Sequence, residues 1–173
     1  MKNVFSKYGK IIVAALAALV VVMAFLPAVS KTVEVFGEKS TTSYSLFDVA
    51  FGKTLAEGSV GGLVSGTSKI KFSILNVVAI LLPVAAAVVS FVLKGKNSAL
   101  IAAACLLVAA ILLFLVPSFS SIVTEVKSVL GNADPTVTKF SELEFGLGIG
   151  AILGAVFAIL GAAASAVRFL NEK

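Results

Sequence analysis

The chain has 173 residues, 59% of them hydrophobic and only 13% charged, with a formal net charge of +5 and a mean hydropathy of +1.10. A soluble fold of this size cannot hide so much apolar surface from water, so the composition excludes an ordinary water-soluble domain and makes the bilayer the expected solvent. The basic residues scatter over loops and ends rather than forming one patch, which argues against nucleic acid as a partner.

A helix crossing a hydrocarbon core of about 30 Å needs roughly 20 mostly apolar residues. Four stretches qualify as expected spans, at about 11–28, 72–93, 99–116 and 145–167. The apolar run from Ile11 to Leu26 leads to Pro27 and Ala28, and the third run stops at Pro117, which cannot continue helical hydrogen bonding. Ser141 and Glu144 have capping-box spacing just ahead of the fourth. The fold class expected is therefore an all-α membrane protein, one membrane domain over 1–173. It is a bundle of four transmembrane helices with a small extracellular cap of a short β-hairpin and short helices.

Orientation follows from the short flanks. Lys2, Lys7 and Lys10 precede the first run, Lys94 and Lys96 fill the second turn, and Arg168 follows the fourth. The positive-inside rule then places both termini and this turn in the cytoplasm of a multi-pass plasma-membrane protein, with outer segments at about 29–71 and 117–144. Lys2–Lys10, the apolar run and Ala28-Val29-Ser30 also have the make-up of a signal peptide, and cleavage would leave three spans. Retention is the expectation.

In the first outer segment Thr32–Phe36 alternates polar and apolar, Gly37-Glu38-Lys39 offers a turn, and Ser40–Tyr44 returns, a hairpin pattern. Ser45 can cap a brief helix through Leu46, Phe47, Val49, Ala50 and Phe51 that ends at Gly52. The glycines at 58, 61, 62 and 66 read as a flexible return. In the second outer segment Ile122, Val126, Val129 and Leu130 share a helical face ending at Gly131, which reads as a lid helix packed on the chain's own hairpin, or as a docking helix.

Gly146, Gly150, Gly154, Ala158, Ala162 and Ala166 recur every four residues and would form one smooth ridge along the fourth helix, where another backbone can approach closely. The partner is either a helix of the same bundle or a second subunit; Gly154, Gly161 and Ser165 form a second small row. In the second run Asn76, Pro83 and Ser90 lie seven apart on one intramembrane polar face, with Ser73 nearby. Pro83 frees a carbonyl and kinks the helix, while Asn76 and the serines are expected to bond to neighbouring helices.

General acid–base chemistry needs positioned ionisable groups, and a zinc site needs His, Cys or carboxylate ligands. The chain has no His, no Trp and one cysteine, Cys105, set among alanines in the third run, where it serves as a small apolar residue. Glu34 with Glu38, or Glu142 with Glu144, read as solvated loop charge. The expectation is no enzyme, no cofactor, no metal and no catalytic residue.

The layout of inner termini, a longer first outer segment with strand character and a shorter second one resembles that of claudin-like proteins. Claudins carry a Trp-based motif and a cysteine pair in that first segment, neither of which this chain has, so no claudin function maps onto a residue here. Tyr44–Gly52 and Gly146–Ala151 are similar to segments of four-span bacterial membrane proteins of no assigned activity. The function expected is a non-catalytic structural or assembly protein. It associates laterally through small-residue helix faces and outer loops, as a homo-oligomer or with another membrane protein. The alternatives are an accessory subunit of a transporter or secretion complex, and a small channel or carrier.

Overall fold

The computed structural model describes residues 2–60, 64–93, 95–128, 131–132 and 134–171. Four long helices, α1 (Lys2–Met23), α3 (Ile74–Val92), α4 (Lys96–Phe114) and α6 (Ile149–Asn171), lie side by side, α1 and α4 each touching both α3 and α6. Between them run β1 (Pro27–Val35), β2 (Glu38–Ser45), the short helix α2 (Leu46–Phe51), β3 (Lys53–Val60), β4 (Val64–Ile70), α5 (Val116–Phe119), β5 (Ser121–Ser128), β6 (Gly131–Asn132), β7 (Thr136–Lys139) and β8 (Gly146–Leu147).

The all-α expectation is overturned. The chain is mixed α/β, with two antiparallel sheets. The first has the order β2-β1-β8; the second runs β3-β4-β5, with β6 and β7 end to end along the far edge of β5. Four spans are not supported either: among the described residues α3, α4 and α6 are long and apolar enough to cross a membrane, whereas the apolar part of α1, Tyr8–Met23, is shorter.

Three local corrections have physical reasons. The expected lid helix is strand β5: Ile122, Val123, Thr124 and Val126 are β-branched, and each of Ile122–Ser128 pairs with a residue of β4. Val129 and Leu130 of that expected face lie outside the described residues. The expected glycine-rich return is the β3–β4 ladder, with Gly58 directly opposite Gly66; Gly61 and Gly62 also lie outside the described residues. Finally, Ser141–Glu144 is a turn and not a helix cap, because Gly146 and Leu147 pair with Ser30 and Val29 before α6 begins.

The first hairpin runs over 27–45, longer than its alternation suggests, and turns at Phe36-Gly37. Ser45 caps α2: its hydroxyl accepts from the Asp48 N–H, the Asp48 carboxylate accepts from the Ser45 N–H, and Gly52 ends the helix at φ 85°. The apolar core has two parts. One lies where helices meet sheets, around Val20, Leu46, Val49, Leu113, Val116 and Phe140; the other lies between the helices, around Val13, Ala17, Ala86, Leu106 and Ala162.

Candidate functional site

The small-residue row of α6 is filled from within the chain. A Cβ on Gly150 would stand 2.7 Å from the carbonyl oxygens of both Met23 and Leu26, so this glycine lets α6 lie against the C-terminal end of α1. At Gly154 the nearest atoms are Leu113 Cδ1 at 3.3 Å and Met23 Cβ at 3.6 Å, from α4 and α1. Ala158 and Ala162 are buried, and Ala166 is exposed. Gly146 is not on the helix: it lies in β8, opposite Ser30. The second row is buried too, with Gly161 against Leu106 and Leu16, and Ser165 fully covered.

On the outward side of the same helix, Ala163 and Ala166 line a shallow apolar groove with Ala103, Leu107 and Ile159. Ala14, Ala17, Ala18, Val21, Val84 and Ala87 line another between α1 and α3.

Asn76, Pro83 and Ser90 all face inward and are buried. Asn76 sits in the first turn of α3, where its Nδ2 donates to the Val49 carbonyl at 3.2 Å and to Ser120 Oγ at 2.8 Å. The Ser120 hydroxyl in turn donates a hydrogen bond to the Val116 carbonyl at 2.8 Å. One amide thus ties α3 to α2 and to the segment following α5, at the junction of helices and sheets.

At the opposite end the sequence reading missed a second polar anchor. Arg168, a basic flank of the fourth run by sequence, is buried with only 2% of its surface exposed, and its Nη2 donates to Ser98 Oγ at 2.9 Å. Ser98 in turn donates to the Gly95 carbonyl at 2.9 Å, closing the start of α4. Gly9 makes room for the arginine stem, since a Cβ there would lie 3.3 Å from Arg168 Cδ. The signal available in the sequence was a glycine and a serine in two polar flanks, and nothing joined them.

These anchors fix the polarity of the molecule. The N-terminal part of α1, the α3–α4 turn and the C-terminal part of α6 gather at one end, and both sheets at the other. Counted along the sequence, the segments 1–26, 74–114 and 149–173 carry seven basic residues and one acid, a net charge of +6, and of these Lys10, Lys96 and Arg168 are described at the first end. The sheet-bearing segments, 27–73 and 115–148, hold the other seven basic residues and eight acids, a net of −1.

Three acids of the sheet half, Asp48, Glu125 and Glu144, sit in ion pairs with lysines. Lys69 Nζ is 2.8 Å from Glu125 Oε1, which together with the charge itself holds that carboxyl below its ordinary value. Burial alone would raise the Asp48 carboxyl, but the Ser45 N–H, the Lys53 ammonium 3.2 Å away and the Ser45 hydroxyl outweigh it and hold it below the usual range. Lys31 donates to the Leu143 carbonyl at 2.7 Å and stands 3.7 Å from Glu144, pinning the 141–144 turn to β1. Among the described residues no group of three or more His, Cys, Asp or Glu is placed to hold a metal ion. No protein-family profile, curated protein or solved structure matches the chain.

Proposed function

We propose that this is a non-catalytic integral membrane protein that holds two β-sheets at the outer surface of the plasma membrane and assembles laterally within it. The observation that carries the reading is the outward surface of α3, α4 and α6. Leu81, Val88, Phe91, Leu100, Leu107, Ile111, Ile152, Ile159 and Leu160 are all exposed there, and no polar solvent would favour that band. The charge difference between the two ends supports the orientation, with the basic end cytoplasmic.

Lateral association is assigned to the outer groove of α6 and α4 at Ala103, Ala163 and Ala166, because Gly150 and Gly154 already pack against α1 and α4 and Ala158 and Ala162 are buried, Ala162 at the floor of that groove. Small residues allow close van der Waals approach, which is what associates helices where lipid gives no hydrophobic drive. The test is the mass and composition of the complex extracted in mild detergent, for the wild type and for Ala163→Leu with Ala166→Leu. A wild-type particle of several copies that shrinks in the variant supports the reading. A monomer, or an unchanged mass in the variant, removes this groove from any interface. A stoichiometric second protein makes the chain an accessory subunit instead.

A further inference from the structure

We infer that the basic end is a contact surface for anionic phospholipid headgroups, so that the protein selects acidic lipids from the leaflet it faces there. The inference rests on the membrane reading above and adds a lipid class to it. The lysines are placed for this role and the arginine is not. Arg168 is buried and committed to Ser98, so it sets where α4 starts instead of meeting solvent. Lys96 stands exposed in the first turn of α4, and Lys10 is half-buried on α1 one residue after the glycine that packs on Arg168. The Arg168–Ser98–Gly95 chain of contacts therefore holds the lysine-bearing starts of α1 and α4 together at one level along the helices.

Two further features favour an anionic partner at that level. The start of α4 follows Gly95, which sits at φ 86° with no side chain capping the helix, so the positive end of the helix dipole adds to the lysine charge. The acids are almost all elsewhere: of nine Asp and Glu, eight lie in the sheet-bearing segments. By sequence the segments outside the sheets carry six lysines against one acid, a balance complementary to a leaflet of negative headgroups, while the sheet-bearing segments at −1 are not. A lysine near an anionic membrane surface changes partitioning by about fivefold, and the effect falls off within a Debye length of about 10 Å at 0.1 M salt.

The experiment uses the full chain in phosphatidylcholine vesicles doped with spin-labelled phosphatidylglycerol or spin-labelled phosphatidylcholine, and reads the relative association of the two lipids with the protein. The expected result is several-fold selectivity for phosphatidylglycerol, declining as salt rises from 0.1 to 1 M. In Lys10→Gln with Lys96→Gln it should drop by at least fivefold, or to no preference. The control Lys39→Gln with Lys127→Gln, at the sheet end, should leave it unchanged. Equal association of both lipids, or equal loss in the control, overturns the inference while leaving the membrane reading intact. If millimolar inorganic phosphate abolishes the selectivity at constant ionic strength, the site takes a free anion and the lipid assignment falls. Release of the protein from the vesicles by alkaline carbonate would instead sink the membrane reading itself.

Discussion

Asn76 donates through one Nδ2 to two acceptors that are far away in sequence, the Val49 carbonyl and the Ser120 hydroxyl, 27 and 44 residues distant. Both bonds are buried, so neither acceptor has water to fall back on. Replacing Asn76 by Leu keeps the volume but strands the Val49 carbonyl, and we expect a loss of about 1–3 kcal/mol. Thermal unfolding in detergent checks this. Ser120→Ala should cost less, about 1 kcal/mol, because Asn76 keeps its bond to Val49. If the two variants were equally mild, the amide would not be the tie between α2 and α3.

How much of this was written in the sequence differs by element, and the reasons are physical. The brief helix α2 was legible because its signals are local: Ser45 at the cap, Asp48 three residues on, Gly52 at the end. The first hairpin was legible from alternation, though Lys31 and Val29 were not seen as strand, since their pairing is set by contacts with Leu143, Leu147 and β2. Strand β5 was misread because Ile122, Val126 and Val129 fit a helical face, and only the β-branched composition spoke for a strand. The second sheet depends on β5 pairing with β4 more than 50 residues away, which no local pattern encodes. The same holds for Arg168: its partner lies 70 residues back, and a lone basic residue after an apolar run looks like a flank.

Gly150 and Gly154 look equivalent in the four-residue repeat but should behave differently. A methyl at Gly150 meets two backbone carbonyls at 2.7 Å, and backbone cannot step aside without moving α1 or α6. A methyl at Gly154 meets the mobile Cδ1 of Leu113 at 3.3 Å, which a small rotamer shift relieves. Gly150→Ala should therefore destabilise by about 1–3 kcal/mol, as overpacking does. Gly154→Ala should stay within about 1 kcal/mol of wild type, helped by alanine's better helix propensity. Melting of the two variants in one detergent decides the matter, and equal losses would show that the α1–α6 approach is looser than 2.7 Å implies.

The Asp48 carboxyl gives the base of the first hairpin a pH dependence of definite sign. Its folded value lies below the ordinary 3.8, so its stabilisation is complete above that value and is lost as pH falls through the lower folded one. Wild type should thus outlast Asp48→Asn at pH 6 by about 1 kcal/mol, the usual worth of such a cap, and the gap should narrow as the pH falls below 3.8. Melting at pH 6, 4 and 3 measures it. A gap that widens on acidification would mean that burial, which works the other way, dominates at this carboxylate.

Phe36 closes the first hairpin in a left-handed conformation, φ 53°, beside Gly37 at φ 84°, and its ring is fully exposed. Positive φ at both central positions suits the right-handed twist of a two-residue loop, but an aromatic residue pays for it with a clash at Cβ. Asparagine tolerates that region and gives the Asn-Gly pair such loops prefer. Phe36→Asn should therefore stabilise the arm on the order of 1 kcal/mol, read as slower amide hydrogen exchange across Thr32–Thr41. Those two threonines already face each other with hydroxyls 3.0 Å apart, so they report the pairing directly. Faster exchange in the variant would mean that the Phe36 ring supports the hairpin through contacts made only in the assembled protein. The strained aromatic tip would then belong to an interface and not to the fold of the single chain.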